Sequence, residues 1–171
     1  MDKIPMFFDM VPGNIVGAEK RRFTVVLSCA ASGDMLPALA IFKGKRKLKL
    51  MTPSNVLATV QCKGWMDMDL MSRWFKAVIL PYTKARRALL LIDSFSAHES
   101  VQLIQEAQAN NVQVSIIPGG CTSKVQPLDV CLNKPFKSVL RSCWHSYIDS
   151  LVAIDPNPEK LKTAEKETIC D

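Results

Sequence analysis

Five apolar residues in a row, Ala88 to Ile92, run directly into an aspartate, Asp93, and this short run constrains the fold more than any other stretch of the chain. Its length and composition predict a strand buried on both faces of a parallel sheet. Asp93 then stands at the carboxyl end of that strand, where open α/β sheets place their ligands. A helix is expected next, because Ser96 and Glu99 form a capping box and Val101, Ile104 and Ala107 follow at helical spacing. Val112, Val114 and Ile116 alternate as in a second strand. After the Pro118-Gly119-Gly120 turn, Gln126-Pro127-Leu128-Asp129 predicts a helix start, with Pro127 at the first helical position and Asp129 in the first turn. The stretch thus offers one acid at a strand end and another at a helix start.

The residues before it read as strands. Ile4 to Met10 is a short strand-like piece followed by a Pro12-Gly13-Asn14 turn. Phe23 to Ala31 and Leu36 to Phe42 are rich in β-branched and aromatic residues and are joined by Ser32-Gly33-Asp34, a hairpin signal. Three antiparallel strands are predicted. Residues 53 to 63 read as loop with room for one short strand. Asp67 to Leu80 predicts a buried helix, since Leu70, Met71, Trp74, Phe75, Val78 and Ile79 share one face, and Pro81 is expected to end it. Its aromatic residues suit a core better than a base-stacking platform. Past Pro127, the stripe Phe136, Leu140, Cys143, Tyr147 and Leu151 continues at helical spacing. From Asp155 onward the chain is polar without apolar periodicity, as in a loose tail. The expected architecture is α/β: three antiparallel strands, then alternating helices and parallel strands, in one mixed sheet flanked by helices. Residues 1–152 form the core and 153–171 the tail.

A net charge of +6 favours an acidic partner, with nucleic acid first. Lys43, Lys45, Arg46, Lys47 and Lys49 place five positive side chains within seven residues. They read either as a solvated loop or as a phosphate-contacting rim, with Arg86 and Arg87 as further candidates. No apolar run approaches the ~20 residues of a membrane span, so no membrane partner is expected. No glycine-rich phosphate loop follows a strand, which argues against a nucleotide cofactor. The six cysteines form no Cys-x-x-Cys pair, and with His98 and His145 as the only histidines they speak for reduced thiols rather than zinc.

Two stretches, LLIDSFSAH ending at His98 and IIPGGCTSKVQPLDVCLNKPFK ending at Lys137, resemble the catalytic core of the pogo-like branch of the mariner superfamily of transposases. Lys63-Gly64-Trp65-Met66 ahead of Trp74-Phe75 is similar to the family as well, and Asp2-Lys3-Ile4-Pro5 resembles its first acidic motif. The resemblance covers roughly residues 2 to 150. It implies a ribonuclease H-like fold and metal-dependent cleavage and strand transfer of DNA. It further implies Asp2, Asp93 and Asp129 as catalytic metal ligands, His98 as a positioning residue, and a place in the nucleus, with self-association left open. The chemistry has a physical basis: two Mg²⁺ (or Mn²⁺) ions about 3.5–4 Å apart activate the attacking oxygen, stabilise the leaving one and neutralise the phosphate. Hard cations take oxygen ligands, and Mg²⁺ uses one or two carboxylates with water and substrate phosphate, so two ions are expected only with DNA bound. Asp93 and Asp129 are expected within roughly 4–7 Å of each other, with Asp2 on the neighbouring strand.

The chain departs from the family pattern at three positions: Lys3 stands where the family has Glu, Ser94 where it has Asn, and Ser96 where it has Pro. No counterpart of the family's helix-turn-helix module is present, and Asp2 lies so near the start that Met1 reads as an internal methionine or the chain as starting in mid-strand. Two functions follow. One is an Mg²⁺-dependent DNA endonuclease or strand-transferase core. The other is a domesticated, non-catalytic nuclear DNA-binding or protein-interaction module, and Lys3 leads us to expect little or no nicking from the chain as written.

Overall fold

The computed structural model describes residues 2–7, 22–45, 51–94, 101–121, 124 and 126–154. The predicted antiparallel triplet forms: β1 (Asp2–Phe7) pairs with β2 (Arg22–Leu27), and β2 with β3 (Ala38–Lys43). The first strand begins at Asp2, two residues before the expected start, and positions 8–10 of the expected strand lie outside the described residues. A fourth strand, β4 (Val56–Gln61), runs parallel to β3 where the sequence suggested mostly loop. The dozen positions between Lys43 and Val56 supply the crossover that a parallel pair requires.

This sheet is buried on both faces, and its side chains sort by the strand period of two. Val26, Leu39 and Ile41 face one core, whereas Phe23, Val25, Leu27, Ala40 and Phe42 face the other. The first core is filled by the long helix. Asp67 caps α1 (Met68–Trp74) by accepting from Leu70 N–H at 2.9 Å, and its second oxygen accepts from Gln61 Nε2 at 3.0 Å. Pro81 does not end the helix. The chain passes through a π-helical turn, Phe75–Ile79, into α2 (Leu80–Thr83). Leu80 N–H bonds to Phe75 O, five residues back. A proline ring collides with the carbonyl four residues before it in a regular helix, and widening the turn ahead of Pro81 shifts those carbonyls away. The helix stops two residues later, with Lys84 and Ala85 both in the left-handed region.

The segment from Ala88 onward forms β5 (Ala88–Asp93), α3 (Val101–Ala109) and β6 (Val112–Ile117), with the two strands parallel. Among the described residues β5 and β6 make a two-stranded sheet and β1 to β4 a four-stranded one, without the expected joining of the two. Nor is β5 buried on both faces: Ile92 is fully buried, but Leu89 is 58% and Leu91 45% exposed, because only one side of the strand packs on the helices. That side belongs to the first core, where Ile92, Leu103, Ala107 and Val112 join Trp74, Phe75 and the β2–β3 side chains. One core therefore ties both sheets together.

The second core is closed by the last helix. A π-helical turn, Leu128–Leu132, leads into α4 (Asn133–Ile154), and Leu128, Leu132, Phe136 and Leu140 pack on Phe23, Val25 and Phe42. Its apolar line continues through Trp144 and Ile148, both buried, rather than through Cys143, which is exposed. The line follows the i+4 ridge of the helix. Leu151 falls where side chains are not described, and the expected tail lies outside the described residues. Among those residues no helix is long and apolar enough to cross a membrane.

Gly64, in the Lys63-Gly64-Trp65-Met66 motif, has a structural reason. Its φ is +69°, and a Cβ there would meet Lys43 Cβ at 3.1 Å and Lys43 N at 3.3 Å. The buried Thr24 hydroxyl donates to its carbonyl at 2.9 Å. Left-handed backbone and close approach to a neighbouring strand both select glycine.

Helices α1 and α3 are pinned by Glu106, which takes the Lys76 ammonium at 2.8 Å and the Ser72 hydroxyl at 2.7 Å. The Lys76 and Ser72 hydrogen bonds hold its carboxyl below the usual range. A lowered carboxylate contributes stability that is complete above its unfolded pKa, about 4.3, and is lost as pH falls through the lower folded value. Glu106→Gln should therefore cost about 0.2–1 kcal/mol at neutral pH, the range of a solvent-screened ion pair. In chemical unfolding the variant and wild type should converge as the pH falls through that lowered folded value.

Candidate functional site

Asp93 closes β5 opposite Ile117 of β6 and is partly buried, with its Oδ1 shielded from solvent. The turn after β6 leans on it: a Cβ at Gly119 would lie 3.4 Å from the hydroxyl of the adjacent Ser94. Asp129 lies in the π-helical turn before α4 and is exposed. Its Oδ1 accepts from Asn133 Nδ2 at 2.7 Å, and Asn133 is buried. The wide turn has the same origin as the one before Pro81. Asn133 N–H reaches back five residues to Leu128 O, two positions ahead of Pro135. Such turns re-aim side chains and recur at functional sites. On either side of Pro127, Gln126 and Leu128 are buried and anchor the motif while Asp129 faces outward.

Asp2 is the first residue of β1 and pairs with Leu27; its side chain lies outside the described atoms. Two of the acid-bearing segments line one cavity of about 480 Å³, β5 through Ala88 to Leu91 and the chain before Asp129 through Gln126 to Leu128. Ser28, next to the ladder partner of Asp2, lines it; so do Ile117, the partner of Asp93, and Leu128, the neighbour of Asp129. His98 lies outside the described residues, as do Arg46, Lys47 and Lys49.

The described basic candidates stand away from these acids. Phe42 is level with Phe23, which is level with Met6, so Lys43 and Lys45 leave the sheet at the end opposite Asp2. Five strand steps separate the two ends, about 17 Å at ~3.3 Å per residue. Arg86 and Arg87 precede β5, six steps or about 20 Å from Asp93 along the strand, and Arg86 Nε donates to Thr83 O at 3.3 Å. Asn133 was not singled out in the sequence, although its position four residues after Asp129 on a helix places the two on one face.

The donors at the site are carboxylate oxygens, which fit a hard divalent cation held by one or two carboxylates with water and phosphate. Among the described residues no group of three or more Cys, His, Asp or Glu side chains is placed to hold a metal ion. Asp93 and Asp129 thus supply two candidate ligands, and the side chain of Asp2 falls outside that comparison.

A sequence profile described as DDE superfamily endonuclease matches residues 20–166. The chain is 30% identical over 131 residues to the human "Pogo transposable element with ZNF domain", covering 75% of this chain and 9% of that protein. It is 32% identical over 135 residues to the mouse "Pogo transposable element with KRAB domain", covering 77% of this chain and 22% of the relative. It is also similar, at 24% identity over 187 residues, to "CENP-B homolog protein 2" of Schizosaccharomyces pombe, covering 97% of this chain and 36% of that protein. The chain thus spans a minor part of the length of each relative. No solved structure matches.

Proposed function

Since the chain belongs to the DDE superfamily endonucleases, in their pogo-like branch, we propose that it is a transposase-derived, DNA-binding core that acts in the nucleus. Asp93, Asp129 and Asp2 are the residues assigned to hold Mg²⁺ or Mn²⁺ on a ribonuclease H-like scaffold, and His98 is assigned as a positioning residue. The observation that supports this reading is the cavity lined both by β5, which ends at Asp93, and by Gln126 to Leu128, which lead into Asp129. The bound cation would neutralise the scissile phosphate and activate an oxygen for phosphodiester cleavage or strand transfer. The protein's own part is to bring carboxylates from a strand start, a strand end and a helix start to one place. Asn133 holds one oxygen of Asp129, and the cysteines take no part in the ligand set.

Lys43, Lys45, Arg46, Lys47, Lys49, Arg86 and Arg87 are assigned to DNA phosphates. Such contacts carry no sequence information. Binding to unrelated duplexes should therefore be equal, and log K should fall with log[salt] by about 0.9 per phosphate neutralised. Competition binding at two salt concentrations tests this; strong preference for one sequence, or no salt dependence, overturns it.

Lys3, adjacent to Asp2, favours a second reading in which the core binds DNA without cutting it. Nicking of supercoiled plasmid with and without Mn²⁺ separates the two readings. Equal background from wild type, Asp93→Asn and Asp129→Asn is the expected result and supports the non-catalytic reading. Metal-dependent nicking that both substitutions abolish would establish an active nuclease.

A further inference from the structure

Helix α4 carries a second ordered row of side chains beside its apolar one. Leu128, Leu132, Phe136 and Leu140 pack on the second core, and the buried Trp144 continues their line at the same spacing of four. The residue directly after each of these is polar: Asp129, Asn133, Lys137, Arg141 and His145. One residue turns a helix by ~100°, so the polar row runs alongside the buried one, at the border of the face that packs on the sheet. The 2.7 Å bond from Asn133 Nδ2 to Asp129 Oδ1 carries this row through the π-helical turn to the acid. Beyond Asn133 the row turns cationic. Lys137 is half-buried and Arg141 exposed, and the exposed Lys134 stands beside them, three residues before Lys137 and seven before Arg141. Successive members of the row lie about 6 Å apart along the axis, four residues at ~1.5 Å each, close to the separation of successive phosphates on one nucleic-acid strand. Asp149, four residues after His145, ends it. None of the phosphate contacts assigned above lies on this helix.

We infer that Lys137 and Arg141, with Lys134 beside them, hold consecutive phosphates of one DNA strand that passes Asp129 and follows α4 away from it. The inference rests on the reading of the core as DNA-binding and adds the path of the strand. The order of charges along the row supports it. A carboxylate repels a phosphate until a metal ion stands between them, whereas an ammonium and a guanidinium two and three steps further along attract the phosphates that follow. The two cations divide the work: Arg141 offers a planar fork that binds a phosphate through two parallel N–H bonds, and Lys137 acts as a point charge. A half-buried lysine lays its stem along the protein and keeps its ammonium in water, which restricts Lys137 more than a lysine on an open helix surface. Contacts of this kind set the register and direction of the strand without reading its sequence.

The test measures duplex binding by the 171-residue chain across a range of salt concentrations. It compares wild type with Lys137→Gln/Arg141→Gln and with Lys134→Gln/Arg141→Gln, which alters exposed positions only. The control is Arg73→Gln/Lys84→Gln, which removes the same charge from exposed positions on α1 and after α2, helices that pack on the opposite face of the four-stranded sheet. The expected result is a salt slope shallower by about 1.8 in each α4 variant, two phosphates at about 0.9 each, with weaker binding to every duplex. The control should keep the wild-type slope, and Arg141→Lys, which retains the charge, should keep it as well. An equal loss in the control reduces the effect to net charge and overturns the inference. Wild-type slopes in both α4 variants overturn it too, while leaving the core a DNA-binding one. A wild type that binds no duplex overturns both the inference and that reading. Displacement of the duplex by polyglutamate as readily as by a second duplex assigns the row to an acidic polypeptide instead and likewise overturns it.

Discussion

Trp74→Ala should lower the unfolding free energy by about 3–5 kcal/mol, the cost of emptying a large aromatic site in a core that cannot collapse around it. Trp74 is 2% exposed and packs where α1, the β2–β3 face and the β5–α3–β6 unit meet. Loss of its ring therefore loosens both sheets at once. A domain of this size has about 5–15 kcal/mol in total, so the variant should unfold at a much lower urea concentration. Trp74→Phe should cost less, within about 0.5–3 kcal/mol, because the indole Nε1 has no hydrogen-bond partner among the described residues and only ring volume is lost. Urea midpoints of the two variants and the wild type give the comparison. A Trp74→Ala midpoint within error of wild type would contradict the shared core.

The second large effect is on metal. A cation that binds the folded chain and not the unfolded one stabilises it by about 2.7 kcal/mol when present at a hundred times its Kd. Asp93→Asn and Asp129→Asn should each remove most of that gain, because an amide cannot supply the anionic oxygen that a hard cation requires. In metal-free buffer the same variants should fold as well as wild type, or slightly better, since one member of a repelling carboxylate set is neutral. The opposite signs with and without metal distinguish a ligand from a residue that merely supports the fold.

Much of this was legible in the sequence where the signal is local. The run Ala88 to Asp93 and the alternation from Val112 gave both parallel strands to within a residue, and Trp74 and Phe75 fell in the core as their helical spacing required. The antiparallel triplet followed from the Ser32-Gly33-Asp34 turn. Less was legible where the cause is distant. Val56 to Gln61 is a strand because β3 lies beside it after a crossover, and nothing in its own composition fixes that partner. Leu89 and Leu91 are as apolar as Ile92, so composition alone could not tell the packed side of β5 from the open one. The two π-helical turns left only a proline shortly downstream as a trace. For the site, the acids were visible through the family resemblance, whereas Asn133 needed the helix to bring it to Asp129.

The central claim is that Asp93 and Asp129 serve one divalent-cation site, and the most direct test is thermal unfolding against Mn²⁺ concentration, with and without a short DNA duplex. The account predicts a saturable rise in Tm for the wild type, larger with DNA present, that is lost in both Asp93→Asn and Asp129→Asn. A wild type indifferent to Mn²⁺ under both conditions, or a rise of equal size in all three proteins, would contradict it.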